Sequence, residues 1–254
     1  MYKKPQDESL LEARVNDAFV SASEYRAKFI GFLDPHEAVQ AQKIAELLKN
    51  VYEGCTGVIN GGYDEAERVF FGVFPPYSEP LTEEFPITAI KISWRFAKLN
   101  HRDFLGAILS LGIVRSKIGD IIIGDNECTV FAEKTVAAFI IQNLEKVGSA
   151  GVQCCISEER VTEREQNFKE IGGTVASKRL DCVVSALTGR SRSASTELIA
   201  GGLVSVNYEV HDENSFEIYE SAAVSIRGCG RFVIDKLGPQ TRKGRFTFAA
   251  RKFL

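Results

Sequence analysis

Residues 178–207, KRLDCVVSALTGRSRSASTELIAGGLVSVN, decide how this chain is read. Leu180, Val183, Val184 and Leu187 share one face at helical spacing, and Gly189 ends the pattern. Ser191 is placed to cap a second helix, whose apolar stripe is Ala194, Leu198 and Ile199 before Gly201-Gly202 stops it. Val204 and Val206 then alternate with Ser205, the period of a strand. Lys178, Arg179, Arg190 and Arg192 fall at the helix ends. Two short helices with cations at their corners suit a phosphate backbone. Guanidinium groups reach two phosphate oxygens at once, and helix N-termini offer N–H groups to the same oxygens.

Arg179-Leu180-Asp181, Ser191-Arg192 and the closing run Gly202 to Asn207 together resemble the S4 RNA-binding domain. The continuation SIRGCGRF at 225–232 and TRKGR at 241–245 resemble a narrower group, the YlmH-type proteins of bacteria and plastids. The resemblance implies an S4 (αL-like) domain over 177–254 that contacts RNA through Lys178, Arg179, Arg190, Ser191 and Arg192. Arg227 and Arg231 flank glycines that permit close backbone approach, and Arg242, Lys243 and Arg245 begin an acid-free tail; these five join the candidate contacts. Asp181 is read as a helix-start carboxylate that orients Arg179 or Arg192. The partners implied are structured rRNA or tRNA and the large ribosomal subunit, with a role in ribosome-associated quality control and a link to division genes. The family's usual Gly-Asp turn after a strand at Phe216–Tyr219 is replaced here by Glu220-Ser221-Ala222-Ala223.

The net charge of −3 conceals an asymmetry: residues 177–254 carry 12 Lys and Arg against 8 Asp and Glu, the rest 19 against 26. One end therefore faces a polyanion. A hydrophobic content of 44% with 26% charged residues is that of a globular protein. No apolar run reaches the roughly 20 residues of a membrane span, and the opening MYKKPQDESLLEAR lacks a secretory signal's apolar stretch. Six irregularly spaced cysteines, mostly among apolar neighbours, predict buried, reduced thiols in the cytoplasm rather than disulfides or a metal site.

Overall the pattern predicts an α+β fold in three parts. Residues 1–80 form a small α+β domain, its first 50 residues mainly helical. Leu10, Leu11, Val15 and Phe19 give one stripe, and Asp34-Pro35 opens a second helix. Strands at 57–60 and 68–74 follow, joined through Gly61-Gly62-Tyr63, a turn rather than a phosphate loop. Residues 85–160 read βαββαβ, the ferredoxin-like plan of RNA recognition motifs, with a last helix over 134–147 that turns Val136, Phe139, Ile140 and Leu144 inward. The usual RNP aromatics are absent, so base stacking on this sheet is unsupported. The runs HRDFLG at 101–106 and RSKIGD at 115–120 resemble the central RNA-binding module of the YlmH-type proteins, which implies Arg102, Arg115 and Lys117 as phosphate contacts, with surface salt bridging an equal alternative. Residues 158–177 are a polar connection, with Gly172-Gly173 a flexible joint and a boundary near 175.

His101-Arg102-Asp103 imitates a kinase triplet, but Ile108 stands where a catalytic asparagine belongs. Arg-Leu-Asp also occurs in pseudouridine synthases, yet no large synthase domain accompanies it, and the nucleotide motifs of tyrosyl-tRNA synthetases are missing. No catalytic residue, cofactor or metal is assigned. The expectation is a non-enzymatic RNA-binding protein. Its competitors are a division-linked adaptor that docks a protein partner on residues 1–80, and an RNA-modifying enzyme with its chemistry in 1–157.

Overall fold

The computed structural model describes residues 5–157, 168–242 and 244–253, with side chains from Ser9 onward. Helices and sheets are both present, an α+β arrangement, and the chain divides into two compact units, Met1–Arg164 and Glu165–Leu254.

The first unit opens with α1 (Pro5–Ser23), which buries Leu11, Val15, Ala18, Phe19 and Ala22 while Leu10, expected on that stripe, faces solvent. Next comes β1 (Lys28–Leu33), a short strand that the pattern does not predict within the otherwise mainly helical first 50 residues. KFIGFL is too short for a helix between its bounding residues, Tyr25 at φ 62° and the cap Asp34, and it pairs antiparallel with residues 69–73. Asp34 starts α2 (Pro35–Leu48) with a capping box: its Oδ1 accepts from Glu37 N at 2.9 Å, and Glu37 Oε2 accepts from Asp34 N at 2.8 Å. Strands β2 (Thr56–Asn60) and β3 (Val69–Phe74) complete a sheet of order β1-β3-β2. Central β3 is buried at every residue, as a strand covered on both faces must be.

The same unit continues with β4 (Ile87–Trp94), α3 (His101–Ser110), β5 (Ile118–Ile123), β6 (Glu127–Glu133), α4 (Lys134–Asn143), β7 (Lys146–Val147) and β8 (Ala150–Ile156). Their sheet runs β5-β6-β4-β8-β7, every pairing antiparallel. Alternation along β4 and β6 turns Ile90, Ile92, Trp94, Cys128, Val130 and Ala132 toward Phe104 and Ile108 of α3 and Ala137 and Ile140 of α4. Helix α4 stops earlier than expected, because Lys146 and Val147 leave it to pair with β8 about Gly148 at φ +58°. Phe139, expected inward, is 46% exposed; Ala137, Ile140 and Leu144 make the buried stripe instead.

The opposite face of this sheet is also used. Ile87, Ala89, Ile122 and Phe131 pack against Phe32, Phe70, Phe74, Phe85 and Tyr63, so residues 1–80 and 85–160 share one aromatic cluster. Buried Asp120 fastens the seam. Its Oδ2 accepts from Tyr63 Oη at 2.8 Å and Glu67 N at 2.7 Å, while Arg68 donates to Phe32 O at 2.7 Å and Ile118 O at 3.0 Å. Gly62 has φ +97°, and a Cβ there would lie 2.5 Å from the Phe131 ring, so only glycine fits.

The second unit contains β9 (Phe168–Val175), α5 (Leu180–Thr188), α6 (Arg192–Ala200), β10 (Val204–Val206), β11 (Glu209–Val210), β12 (Ala223–Ile226), β13 (Gly230–Gln240) and β14 (Phe246–Phe253). Its antiparallel sheet runs β11-β10-β12-β13-β14-β9. The expected joint Gly172-Gly173 lies inside β9, opposite Ala249 and Phe248, so this unit begins before the boundary expected near 175. Leu180, Val183, Val184, Leu187 and Ile199 bury against Val204, Phe232, Ile234 and Phe248. Phe216–Tyr219, expected as a strand, makes only an isolated bridge between Glu217 and Arg179, and Ser221 adopts φ 67° in the turn that follows. Asn207, at φ 46°, ties β10 to β12: its N–H donates to Ala223 O at 2.7 Å and its Oδ1 accepts from Ala223 N at 2.8 Å.

All six cysteines are free. Cys55 and Cys128 are buried, but Cys155 is exposed, against the expectation of burial. Burial, with Cys155 adjoining, pushes the Cys154 thiol up to about 11. Among the described residues no helix is long and apolar enough to cross a membrane, and no group of three or more His, Cys, Asp or Glu is placed to hold a metal ion.

Candidate nucleic-acid interface

Asp181 sits in the first turn of α5 with its side chain only 4% exposed. It accepts from Arg179 Nε and Nη2 at 3.2 and 3.3 Å, and from Arg192 Nε and Nη2 at 2.9 and 2.8 Å. Burial pushes its carboxyl up, but the hydrogen bonds and charges of Arg179 and Arg192 outweigh that and hold it below the usual carboxylate range. Arg192 is correspondingly raised, chiefly by its hydrogen bond to Asp181. One buried anion therefore fixes two guanidinium groups that stay 41% and 60% exposed. Such paired, oriented forks are suited to phosphate oxygens.

The turn between the helices supplies the next candidates. Gly189 takes φ 68° to close α5, Ser191 Oγ caps α6 by accepting from Ala194 N at 3.2 Å, and Arg190 is exposed between them. The two helix starts differ. At α5, Leu180 N and Asp181 N donate to Phe216 O and Asn214 O, so the free N–H groups expected there are already bonded. At α6, the N–H groups of Arg192 and Ser193 have no partner among the described residues.

Lys178 extends this edge. Its ammonium lies 5.5 Å from the Phe246 ring centre, bringing in the hairpin between β13 and β14, which carries exposed Arg242 and Arg245. Arg245 is anchored on Thr174, donating to its Oγ1 at 2.9 Å and its carbonyl at 2.8 Å. Lys243 lies outside the described residues. Asp181 thus joins Arg179 and Arg192, Phe246 brings Lys178 to the hairpin, and Thr174 holds Arg245; these basic residues are termed the basic edge.

The other candidates fall elsewhere. Exposed Arg227 donates its N–H to Leu203 O, beyond the C-terminal end of α6, whereas Arg192 opens that helix. Arg231 stacks on Phe253, its guanidinium carbon 3.9 Å from the ring centre. Phe253 meets Phe168, over which Arg251 lies, a group the sequence reading missed because register alone assembles it. In the first unit Arg102 is exposed in the first turn of α3. Arg115 instead turns its guanidinium onto the carbonyls of Ile118 and Gly119, and burial together with Arg68 lowers it to about 10 against the pull of Asp120. Lys117 pairs with Glu133 at 2.5 Å. Lys117 thus makes a salt bridge, while Arg115 is held by backbone carbonyls instead.

A protein family described as "Putative RNA-binding domain in YlmH" matches residues 80–162. Over 239 residues the chain is 32% identical to the ribosome-associated protein quality control protein P2 of Bacillus subtilis, covering 90% of this chain and 89% of that protein. The chain belongs to the YlmH family. A solved structure titled "Cell division protein ylmH from Streptococcus pneumoniae" is 22% identical, with a TM-score of 0.49, and covers 62% of this chain and 94% of that one. The basic edge of this YlmH-family chain lies outside the span of the family match, which takes in Arg102, Arg115 and Lys117.

Proposed function

We propose that this chain is a non-enzymatic RNA-binding protein whose second unit is an S4 domain, acting on structured rRNA or tRNA at the large ribosomal subunit. The observation that carries the reading is the pair of guanidinium groups held by Asp181 at the starts of α5 and α6. Two fixed forks, the open N–H groups of α6 and the adjoining Lys178, Arg242 and Arg245 offer a run of phosphate contacts that read backbone shape rather than base sequence. The Bacillus subtilis relative is named for the ribosome and for protein quality control, which supports the same setting here. The βαββαβ order and the sheet β5-β6-β4-β8 support a ferredoxin-like RNA-binding module in the first unit. The place of action would be the cytoplasm.

The test is sedimentation of the full chain with ribosomes through sucrose at increasing salt, beside an Arg179→Ala/Arg192→Ala double variant. Wild type should travel with large subunits at low salt and lose them as salt rises, because bound phosphates release counterions. The double variant should stay nearer the top of the gradient. A folded double variant that sediments like wild type would overturn the reading.

A further inference from the structure

The loop between β4 and α3, Arg95 to Asn100, carries an aromatic residue that joins no core cluster or ring contact among the described residues. Phe96 is 101% exposed and sits at φ 59°, a left-handed conformation that bulky side chains seldom adopt. The residues around it hold it there. Trp94, buried beneath, donates its indole N–H to Ala97 O at 2.9 Å and its backbone N–H to Asn126 O at 3.1 Å. Leu99 packs on the core under α3 and α4, and Asn100 caps α3, its Oδ1 accepting from Arg102 N at 2.9 Å. With both ends anchored, Arg95, Phe96 and Lys98 are turned outward, and Arg102 stands exposed one turn further on. Among the described residues no carboxylate pairs with Arg95, Lys98 or Arg102; the nearby Asp103 carboxylate accepts from Asn100 N at 2.9 Å.

We infer that Phe96 stacks on an unpaired base of bound RNA while Arg95, Lys98 and Arg102 hold the flanking phosphates. An exposed ring gains by covering the face of a base, and cations on either side select a polyanion rather than an apolar protein surface. Tyr77 provides the contrast. It is equally bare, 102% exposed at φ 65°, but its neighbours in sequence are Glu79, Glu83 and Glu84, which repel phosphate. The site differs from the Arg179 and Arg192 edge in both residues and mode: it takes single-stranded RNA by base stacking. It rests on the RNA-binding reading and assigns residues to the first unit's part in it.

Fluorescence anisotropy of the full chain with a labelled oligouridylate, and separately with a blunt RNA duplex, tests the inference. Phe96→Ala should weaken oligouridylate binding about tenfold and change duplex binding less than about twofold, with Phe96→Tyr close to wild type. Tyr77→Ala should change neither. Because the sole tryptophan, Trp94, is buried, Phe96→Trp adds an exposed emitter whose fluorescence oligouridylate should quench. Unchanged oligouridylate affinity in Phe96→Ala, or no quenching in Phe96→Trp, overturns the inference. So does a Phe96→Ala variant that loses ribosomes but keeps oligouridylate, since the loop would then dock a protein. Loss of ribosome binding by Arg179→Ala/Arg192→Ala, with Phe96→Ala silent on every probe, sinks this inference alone. A wild-type chain that binds no RNA sinks both.

Discussion

Replacing Asp181 by asparagine keeps the side chain's size and removes the charge that holds Arg179 and Arg192. Hydrogen bonds to charged groups contribute ~1.5–3 kcal/mol each when buried. Here both guanidinium groups are more than a third exposed and solvent screens them, so the stability cost is small and the change falls mainly on binding. The effect on RNA is a contest of two terms. Freed arginines must be re-ordered on binding, at ~0.5–1.5 kcal/mol each. Against this, removing a negative charge about 7 Å from a phosphate in water favours binding by only ~0.6 kcal/mol. Positioning wins, and affinity should fall about two- to sixtyfold. The number of cations is unchanged, so the salt slope should stay that of wild type, whereas Arg179→Ala/Arg192→Ala should flatten it by about two phosphates. Anisotropy with a duplex RNA across a potassium chloride series separates the cases. An asparagine variant that binds as tightly as wild type or tighter would show that Asp181 merely neutralises its arginines, and the positioning argument would fail.

Asp120→Ala should lower the stability of the first unit by ~2–3 kcal/mol, seen as a lower urea midpoint, because Tyr63 Oη and Glu67 N lose a buried acceptor. Arg115→Ala should cost ~1–2 kcal/mol by the same measurement yet leave RNA affinity within about twofold, since its guanidinium serves the carbonyls of Ile118 and Gly119. Acid should loosen the second unit. With the Asp181 carboxyl held below its ordinary value, the folded chain binds fewer protons there than the unfolded one. That stabilisation is complete at neutral pH and is lost as pH falls below about 4 through the lowered value. Unfolding midpoints of wild type and Asp181→Asn should therefore converge toward low pH; parallel curves would contradict the linkage.

The legible parts of this fold are those whose signals are local. Helices α5 and α6 follow from apolar spacing between glycine stops, and α2 from Asp34-Pro35 with Glu37 three residues on. Asp181 was readable as an orienting carboxylate because its arginines lie 2 and 11 positions away, within one helical pair. What stayed hidden depends on distant partners. Strand β9, FKEIGGTV, has glycines and little alternation, and pairing with β14 far along the chain makes it a strand. Arg102, Arg115 and Lys117 look alike in sequence; the carbonyl of Ile118 and the carboxylate of Glu133 separate them. Phe96 had no signal at all, since a phenylalanine is expected inside and only the anchored loop turns it out.

The shared aromatic cluster constrains how the first unit can meet RNA. Modules of the ferredoxin-like plan that stack bases do so on the sheet face opposite their helices. Here Ile87, Ala89, Ile122 and Phe131 of that face are packed against Phe32, Phe70, Phe74, Phe85 and Tyr63, and Asp120 and Arg68 bond across the seam. Freeing those residues for a base would expose several phenylalanines at ~1.5–3 kcal/mol each and break buried hydrogen bonds as well. One stacked base returns only ~1–3 kcal/mol. The balance forbids the exchange. Any RNA contact made by residues 80–162 must then come from loops and helix ends, where Arg95, Phe96, Lys98 and Arg102 already stand in solvent.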